Sequence, residues 1–272
     1  MTNIAVTPFS LGGESLSLAR NRLLGSLPPD AIDALAPYMK ESIAAQGSVL
    51  HEAGQPLKAV HFPCGGLVSL SRTVPEGQEI ETASIGREGA VGLLAALGSG
   101  MASTRAVICL PGPIVHVAAP RVAELADRSK EFRAAASRYG DILLAEVQQT
   151  AVCNSLHPIQ ARMCRWLLQA RDRTGGDILA VTQELLSAVL GVQRTTITLV
   201  ARVLQTEAIL QVRRGRIHIR DAAALEEKAC ECYRQGRRLV EHIGREPVRQ
   251  LAQQPLRLPK GSMEIQGSSP DA

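Results

Sequence analysis

The chain has 272 residues, 45% hydrophobic and 21% charged, with a formal charge of +4 and only 3% aromatics: Trp166, three Tyr and three Phe. That length and composition suit one or two domains around an aliphatic core and exclude wholesale disorder or a fibrous repeat. So few rings also argue against a single-strand RNA binder that stacks bases on exposed aromatics.

Residues 1–19 carry no Lys or Arg, hence no secretory n-region, and read as an N-terminal extension. A short helix is predicted over 29–36, with Pro28 and Pro29 at its start, Ile32 and Leu35 at helical spacing, and Pro37 to end or kink it. Short apolar runs follow at 48–51, 59–62, 67–72, 79–85, 105–110 and 114–118. Turn signals separate them: Ala53-Gly54-Gln55-Pro56, Pro63-Cys64-Gly65-Gly66, Pro75-Glu76-Gly77 and Pro111-Gly112-Pro113. This pattern predicts an antiparallel, jelly-roll-like β-roll over 20–120. Within 89–120 only Arg105 is charged, but Gly and Pro interrupt the stretch too often for a spanning helix. A cytoplasmic chain with no membrane partner is expected.

Between 129 and 156 there is no Pro, and Phe132, Ala136, Tyr139, Leu143, Val147, Ala151 and Val152 recur at three- and four-residue steps. A long amphipathic helix over 129–156 is therefore predicted. Ile142 and Leu144 make its opposite face more apolar than one packing surface needs, which points to a twin helix and a homodimer. Asn154-Ser155-Leu156-His157-Pro158 breaks it, and a second helix over 159–173 presents Ile159, Met163, Trp166, Leu167 and Ala170 before Thr174-Gly175-Gly176 ends it.

Six cysteines lie at 64, 109, 153, 164, 230 and 232, with no C-x-x-C among them. They read as free thiols of a reducing compartment. The Cys230/Cys232 pair is too little for a tetrahedral zinc site without two more nearby ligands and reads as incidental; no metal site is expected. Nothing in the sequence singles out a haem ligand among His51, His61, His116 and His157, or a redox-responsive thiol at Cys153 or Cys164, because reactivity depends on surroundings.

Charge divides the chain: residues 1–118 hold 7 Lys/Arg against 9 Asp/Glu, residues 119–272 hold 23 against 17. The cations concentrate over 191–220, where Arg194, Arg202, Arg213, Arg214, Arg216 and Arg220 face only Glu207. There Thr182 caps a short helix with Leu185, Val189 and Leu190 on its apolar face. Gly191 permits a turn, and a second helix buries Ile197, Val200, Ala201 and Leu204 while presenting Gln193, Arg194, Thr195, Thr198 and Arg202. A strand pair around 212–219 turns at Arg213-Arg214-Gly215-Arg216. This is a winged helix-turn-helix: Arg and Gln can bond base edges in the major groove, Thr can meet a thymine methyl, and a basic wing suits phosphates. The expected DNA contacts are Thr182, Gln193, Arg194, Thr195, Thr196, Thr198, Arg202, Arg213, Arg214 and Arg216.

The string Thr182-Gln183-Glu184-Leu185…Leu190-Gly191-Val192-Gln193-Arg194-Thr195-Thr196-Ile197 resembles the reading motif of the Crp/Fnr transcription regulators. Upstream, Phe62-Pro63…Gly66-Leu67-Val68-Ser69-Leu70 and Ile85-Gly86-Arg87-Glu88-Gly89-Ala90-Val91-Gly92 are similar to that family's cyclic-nucleotide-binding-type roll. The resemblance covers roughly residues 20–233 and keeps the motifs in order. It implies an α+β protein with a β-roll sensor over 20–120, a dimerisation helix region over 121–156, a winged helix-turn-helix over 157–233 and a basic, largely disordered tail over 234–272. It further implies a homodimer on a two-fold symmetric operator in double-stranded DNA, RNA polymerase as a partner, and no enzyme activity.

The departures are also informative. Members that bind cyclic AMP use Gly-Glu and Arg-Ser pairs in the roll; here Gly92 precedes Leu93, and Ser103-Thr104 stand where Arg-Ser is expected, with Arg105 one or two positions late. Gly92, Ser103, Thr104 and Arg105 mark the place of an effector pocket in the roll, and these departures point to a small effector other than cyclic AMP, or to none. With no Cys before Cys64, no iron–sulfur cluster is expected. In the reading helix Thr195 and Leu199 replace the family's Glu and second Arg. Two alternatives fit less well: a cupin-like metal enzyme using His51, Glu52, His61 or His116, which lacks the clustered His-x-His, and a nucleotide-sensing module acting on another protein, which would have no use for the basic wing.

Overall fold

The computed structural model describes residues 20–73 and 79–245, with side chains as far as 238; the extension 1–19, the turn at 75–77 and the chain beyond 245 lie outside the described residues. Two short helices, α1 (Arg22–Gly25) and α2 (Pro29–Leu35), lead into seven described strands: β1 (Lys40–Ala44), β2 (Val49–His51), β3 (Ala59–Pro63), β4 (Leu67–Thr73), β5 (Glu79–Ile85), β6 (Arg105–Leu110) and β7 (Gly112–Ala118). A short helix α3 (Leu93–Leu97) lies between β5 and β6. The strands form two antiparallel sheets, β1-β7-β3 and β2-β6-β4-β5. Their inward residues, among them Val60, Phe62, Ile85, Ala106, Ile108 and Val117, share one buried core. The alternation of in and out along β3 (Val60 and Phe62 buried, His61 half-buried) is the two-residue period of the pleat.

The runs read as strands are strands, and β1 joins them. It is the edge of its sheet and reads Lys40-Glu41-Ser42, with only Ser42 buried, so hydrophobic alternation gave no signal. The long helix expected over 129–156 is present, and a separate shorter helix precedes it. Helix α4 (Ala119–Arg128) ends at Ser129, whose extended backbone and side chain cap α5 (Lys130–Leu156) by accepting from the Phe132 N–H at 3.1 Å.

The two halves of α5 have different surroundings. Phe132, Ala135, Ala136 and Tyr139 pack into the roll core, and the Tyr139 hydroxyl donates to the Ala90 carbonyl at 2.9 Å. Gly89 makes that approach possible: a Cβ there would lie 2.2 Å from the Tyr139 ring. Further along, Leu144, Val147, Val152 and Leu156 are exposed, so Val147 and Val152, placed with Phe132 on one apolar face by spacing alone, do not reach the roll.

After His157, α6 (Ile159–Thr174), β8 (Ile178–Leu179), α7 (Gln183–Leu190), α8 (Arg194–Thr206), β9 (Leu210–Arg213), β10 (Arg216–Ile219) and α9 (Ala222–Lys228) build a second core around Met163, Trp166, Leu186, Ile197, Leu204 and Ile217. Leu67, Cys109 and Leu110 of the roll belong to the same cluster, so this unit is docked on the roll. The chain continues as α10 (Cys232–Arg245). Residues 234–245 are therefore helical, where a disordered tail was expected; charged positions such as Arg234, Arg237 and Arg238 conceal an amphipathic turn pattern that packs Tyr233 inward. No helix among the described residues is long and apolar enough to cross a membrane.

Candidate nucleic-acid interface

Helix α7 begins where Thr182 accepts from the Leu185 N–H at 3.0 Å and ends at Gly191, whose φ of +65° closes the turn without steric penalty. Leu186 and Leu190 seal its inner face; Leu185 and Val189 are half-buried. Gln193 then starts α8, which buries Ile197, Val200, Ala201 and Leu204. On its outer side Gln193, Arg194, Thr195 and Arg202 are exposed, whereas Thr196 and Thr198 are half-buried. The Thr198 hydroxyl lies 2.9 Å from Gln183 Oε1, tying the two helices together. Leu199 is 62% exposed and Val203 45%, on the side that carries Thr195 and Arg202. Leu199 thus adds an exposed apolar side chain to this face, at helical spacing from Thr195 and Arg202.

The wing is a hairpin in which Arg213 pairs with Arg216 across a turn made by Arg214 and Gly215, the latter at φ +71°. Strand β8 adds a third member in the order β8-β10-β9. Arg213, Arg214 and Arg216 are exposed, and none of them, nor Arg194 or Arg202, forms an ion pair among the described residues. The sole acid of the segment, Glu207, is paired with Lys228 at 2.8 Å. A surface of unpartnered guanidinium groups with its acid neutralised presents a concentrated positive field, which is what a phosphate backbone attracts.

The junction between this unit and the roll is held by a buried polar network. The Arg173 guanidinium reaches Glu88 at 2.8 Å, Glu146 at 2.6 Å and the Ser84 hydroxyl at 2.6 Å, joining α6 to the roll and to α5. Trp166 Nε1 donates to Glu81 Oε1 at 3.1 Å. Burial lifts the Glu81 carboxyl to about 7, against the opposing pull of the Ser69 and Trp166 hydrogen bonds and the nearby Arg173 charge. The Arg87 side chain also donates to the Asp172 carbonyl at 2.9 Å. A cavity of about 650 Å³ opens beside this network, lined by Arg87, Glu146, Arg165, Arg171 and Tyr233 among others.

The residues expected at an effector pocket are placed as follows. Gly92 sits at φ +84° before α3, against Leu57 and Ala59. The Ser103 carbonyl accepts from Arg72 at 2.8 Å. Arg105, next to Thr104, lies on the face of β6 opposite Ala106 and Ile108 and is paired with Glu52 at 3.1 Å and Glu79 at 2.8 Å. A phosphate brought to Arg105 would meet both carboxylates. Of the cupin-type set, His61 and His116 are cross-strand neighbours with ring centroids 5.8 Å apart, and burial depresses His61 to about 3. Glu52 is engaged by Arg105. Among the described residues these histidines belong to no group of three or more metal-type donors.

One such group does form elsewhere. Cys153 and His157 at the end of α5 meet Cys230 and Cys232, and the four donor atoms all lie within 4.8 Å of one another. The expectation that Cys230 and Cys232 have no further ligands nearby does not hold. The signal present in the sequence was two short-spaced donor pairs; their separation, 75 residues from His157 to Cys232, hid their meeting.

Residues 161–228 match the family model of the Crp-like helix-turn-helix domain. The cyclic AMP receptor protein of Thermus thermophilus is 24% identical over 210 residues, which are 76% of this chain and 96% of that protein. Among solved structures, FixK2 of Bradyrhizobium japonicum is 15% identical with a TM-score of 0.61, covering 71% of this chain and 98% of that one. A CRP-family transcriptional regulator of Thermus thermophilus is 18% identical with a TM-score of 0.59, covering 69% and 95%. The chain has the fold of the Crp/Fnr regulators and carries their type of helix-turn-helix domain.

Proposed function

We propose that this Crp/Fnr-type regulator binds duplex DNA as a homodimer, with α8 in the major groove, the wing on the flanking backbone, and a small effector acting through the roll. The observation that carries the reading is the set of exposed, unpaired Arg194, Arg202, Arg213, Arg214 and Arg216 around one polar helix end. Gln193, Arg194 and Thr195 are the base readers, Arg213, Arg214 and Arg216 the phosphate contacts, while Thr182 caps α7 and Thr198 ties α8 to it. Leu199 and Val203 supply apolar contacts suited to thymine methyls.

Cyclic AMP is not carried over from the similar receptor protein, because Arg105 is engaged by Glu52 and Glu79 and Leu93 replaces the expected carboxylate. Whatever effector acts there reaches the reading domain through the Glu81–Trp166 and Arg173 contacts. RNA polymerase is the partner that a regulator of this type implies.

The test is selection of a binding site from random duplexes, followed by anisotropy titrations over a range of salt. Arg194→Ala should cost about 1–3 kcal/mol on the selected site and relax preference at one position. Replacing Arg213, Arg214 and Arg216 by Ala should weaken binding to all sequences alike and flatten the salt slope. Selection that returns no sequence preference would overturn the assignment of α8 as the reading helix.

A further inference from the structure

We propose that Cys153, His157, Cys230 and Cys232 form a tetrahedral zinc site that staples the end of the long helix α5 to the start of α10. The four donors come from two places in the chain. Cys153 lies in the last turn of α5 and His157 is its C-cap, held one turn away by the His157 N–H donating to the Cys153 carbonyl at 3.1 Å. Cys230 and Cys232 flank the bend between α9 and α10, and their alternation around Glu231 turns both sulfurs inward. Cys153 is 0% exposed, Cys232 1% and Cys230 6%, so the sulfurs form a closed cluster.

The spacing fits a metal. Zinc–sulfur bonds of about 2.3 Å put the sulfurs of a tetrahedron about 3.8 Å apart, and sulfur–nitrogen edges slightly shorter. Here Cys153 Sγ lies 3.5 Å from Cys230 Sγ, Cys232 Sγ lies 3.4 Å from His157 Nδ1, and every pair of donors is within 4.8 Å. Three thiolates and one imidazole select zinc over the hard cations, which prefer oxygen, and a closed set of four protein donors is the pattern of a structural site.

The surroundings fit as well. His157 Nε2 faces Glu231 Oε1 at 3.3 Å, the partner that aims Nδ1 at the sulfurs. Gln149 Nε2 donates to Cys232 Sγ at 2.9 Å. Three thiolates with Zn²⁺ leave a net charge of −1. The guanidinium of Arg165, a buried residue with no ion pair among the described residues, acts on Cys153 and supplies the countercharge; Arg162 acts on Cys153 and Cys230. Metal binding converts the three S–H groups to Zn–S bonds and releases three protons to solvent, with no change of oxidation state. The site's place gives it a role: His157 and Pro158 are the link between the dimer helix and the reading domain, so the metal fixes the angle at that link.

The test uses the full-length chain, purified without affinity tags that bind metal. Elemental analysis should find one zinc per chain. After removal with a chelator under reducing conditions, titration with Co²⁺ alone should produce the visible absorption of tetrahedral thiolate cobalt, saturating at one equivalent. Cys232→Ser and His157→Ala should each abolish stoichiometric zinc, whereas Cys64→Ser, outside the cluster, should retain it. Circular dichroism of the variants distinguishes a lost site from a lost fold, and zinc removal should lower Tm by several degrees. Absence of stoichiometric metal with no cobalt spectrum, or a Cys153–Cys230 disulfide in freshly purified protein, would overturn the site. Because these readouts do not use DNA, failure of the regulator assignment leaves this result intact, and the reverse.

Discussion

Glu81 and Trp166 tie the roll to α6 through one buried hydrogen bond. The carboxyl is buried and raised from 4.5 to about 7, so the folded chain holds its proton between those values where the unfolded chain has released it. The folded state then binds more protons than the unfolded one, and stability falls as pH rises through that interval, by at most about 1.4 kcal/mol per pH unit. Trp166 is the only Trp of the chain and its indole donates to this carboxyl, so its emission should titrate near pH 7. Glu81→Gln keeps an acceptor for the indole and removes the proton, and should flatten both the emission change and the pH dependence of Tm. Emission that still titrates in Glu81→Gln would assign the change to another group.

Helix α5 illustrates what an element inherits from its neighbours. Its first half is held by the roll through Phe132 and Tyr139, while Leu144, Val147 and Val152 remain uncovered along the second half. An apolar stripe beyond the roll is what a twin helix would bury. Leu144→Glu should therefore shift sedimentation equilibrium from dimer to monomer and weaken operator binding, with little change in helicity. A dimer of undiminished stability would place the interface elsewhere. The helix-turn-helix was legible because its determinants are local: the Thr182 cap, the Gly191 turn and the periodic apolar residues of α8 lie within one short stretch. Edge strand β1 was not, since it depends on pairing with β7.

Across the molecule, Arg173 joins three parts: the roll through Ser84 and Glu88, the long helix through Glu146, and the helix-turn-helix domain from its own place on α6. The side chains of Glu88 and Glu146 are only 13% and 16% exposed, so removing the guanidinium leaves two carboxylates poorly solvated. Arg173→Ala should cost about 3–5 kcal/mol and split a single calorimetric transition into separate roll and reading-domain events. One undivided transition of unchanged Tm would show that the apolar contacts of Leu67, Cys109 and Leu110 suffice for docking. An effector that loosens or tightens this junction would change the presentation of α8 without touching it.

Residue order dictated the local outcomes. Alternating apolar runs between Gly and Pro turns required short strands, a Pro-free periodic stretch required a long helix, and six arginines against one acid made one segment strongly basic. Each follows from backbone sterics, burial period or net charge, which act over a few residues. Which distant groups meet was settled by folding. Arg173 faces Ser84 across 89 positions and Cys153 faces Cys230 across 77, pairings no spacing rule anticipates because the chain between them can close in many ways. The modest +4 of the whole chain is likewise sorted in space: Arg173 and Arg105 are spent on internal carboxylates, and the arginines of α8 and the wing face outward unpaired.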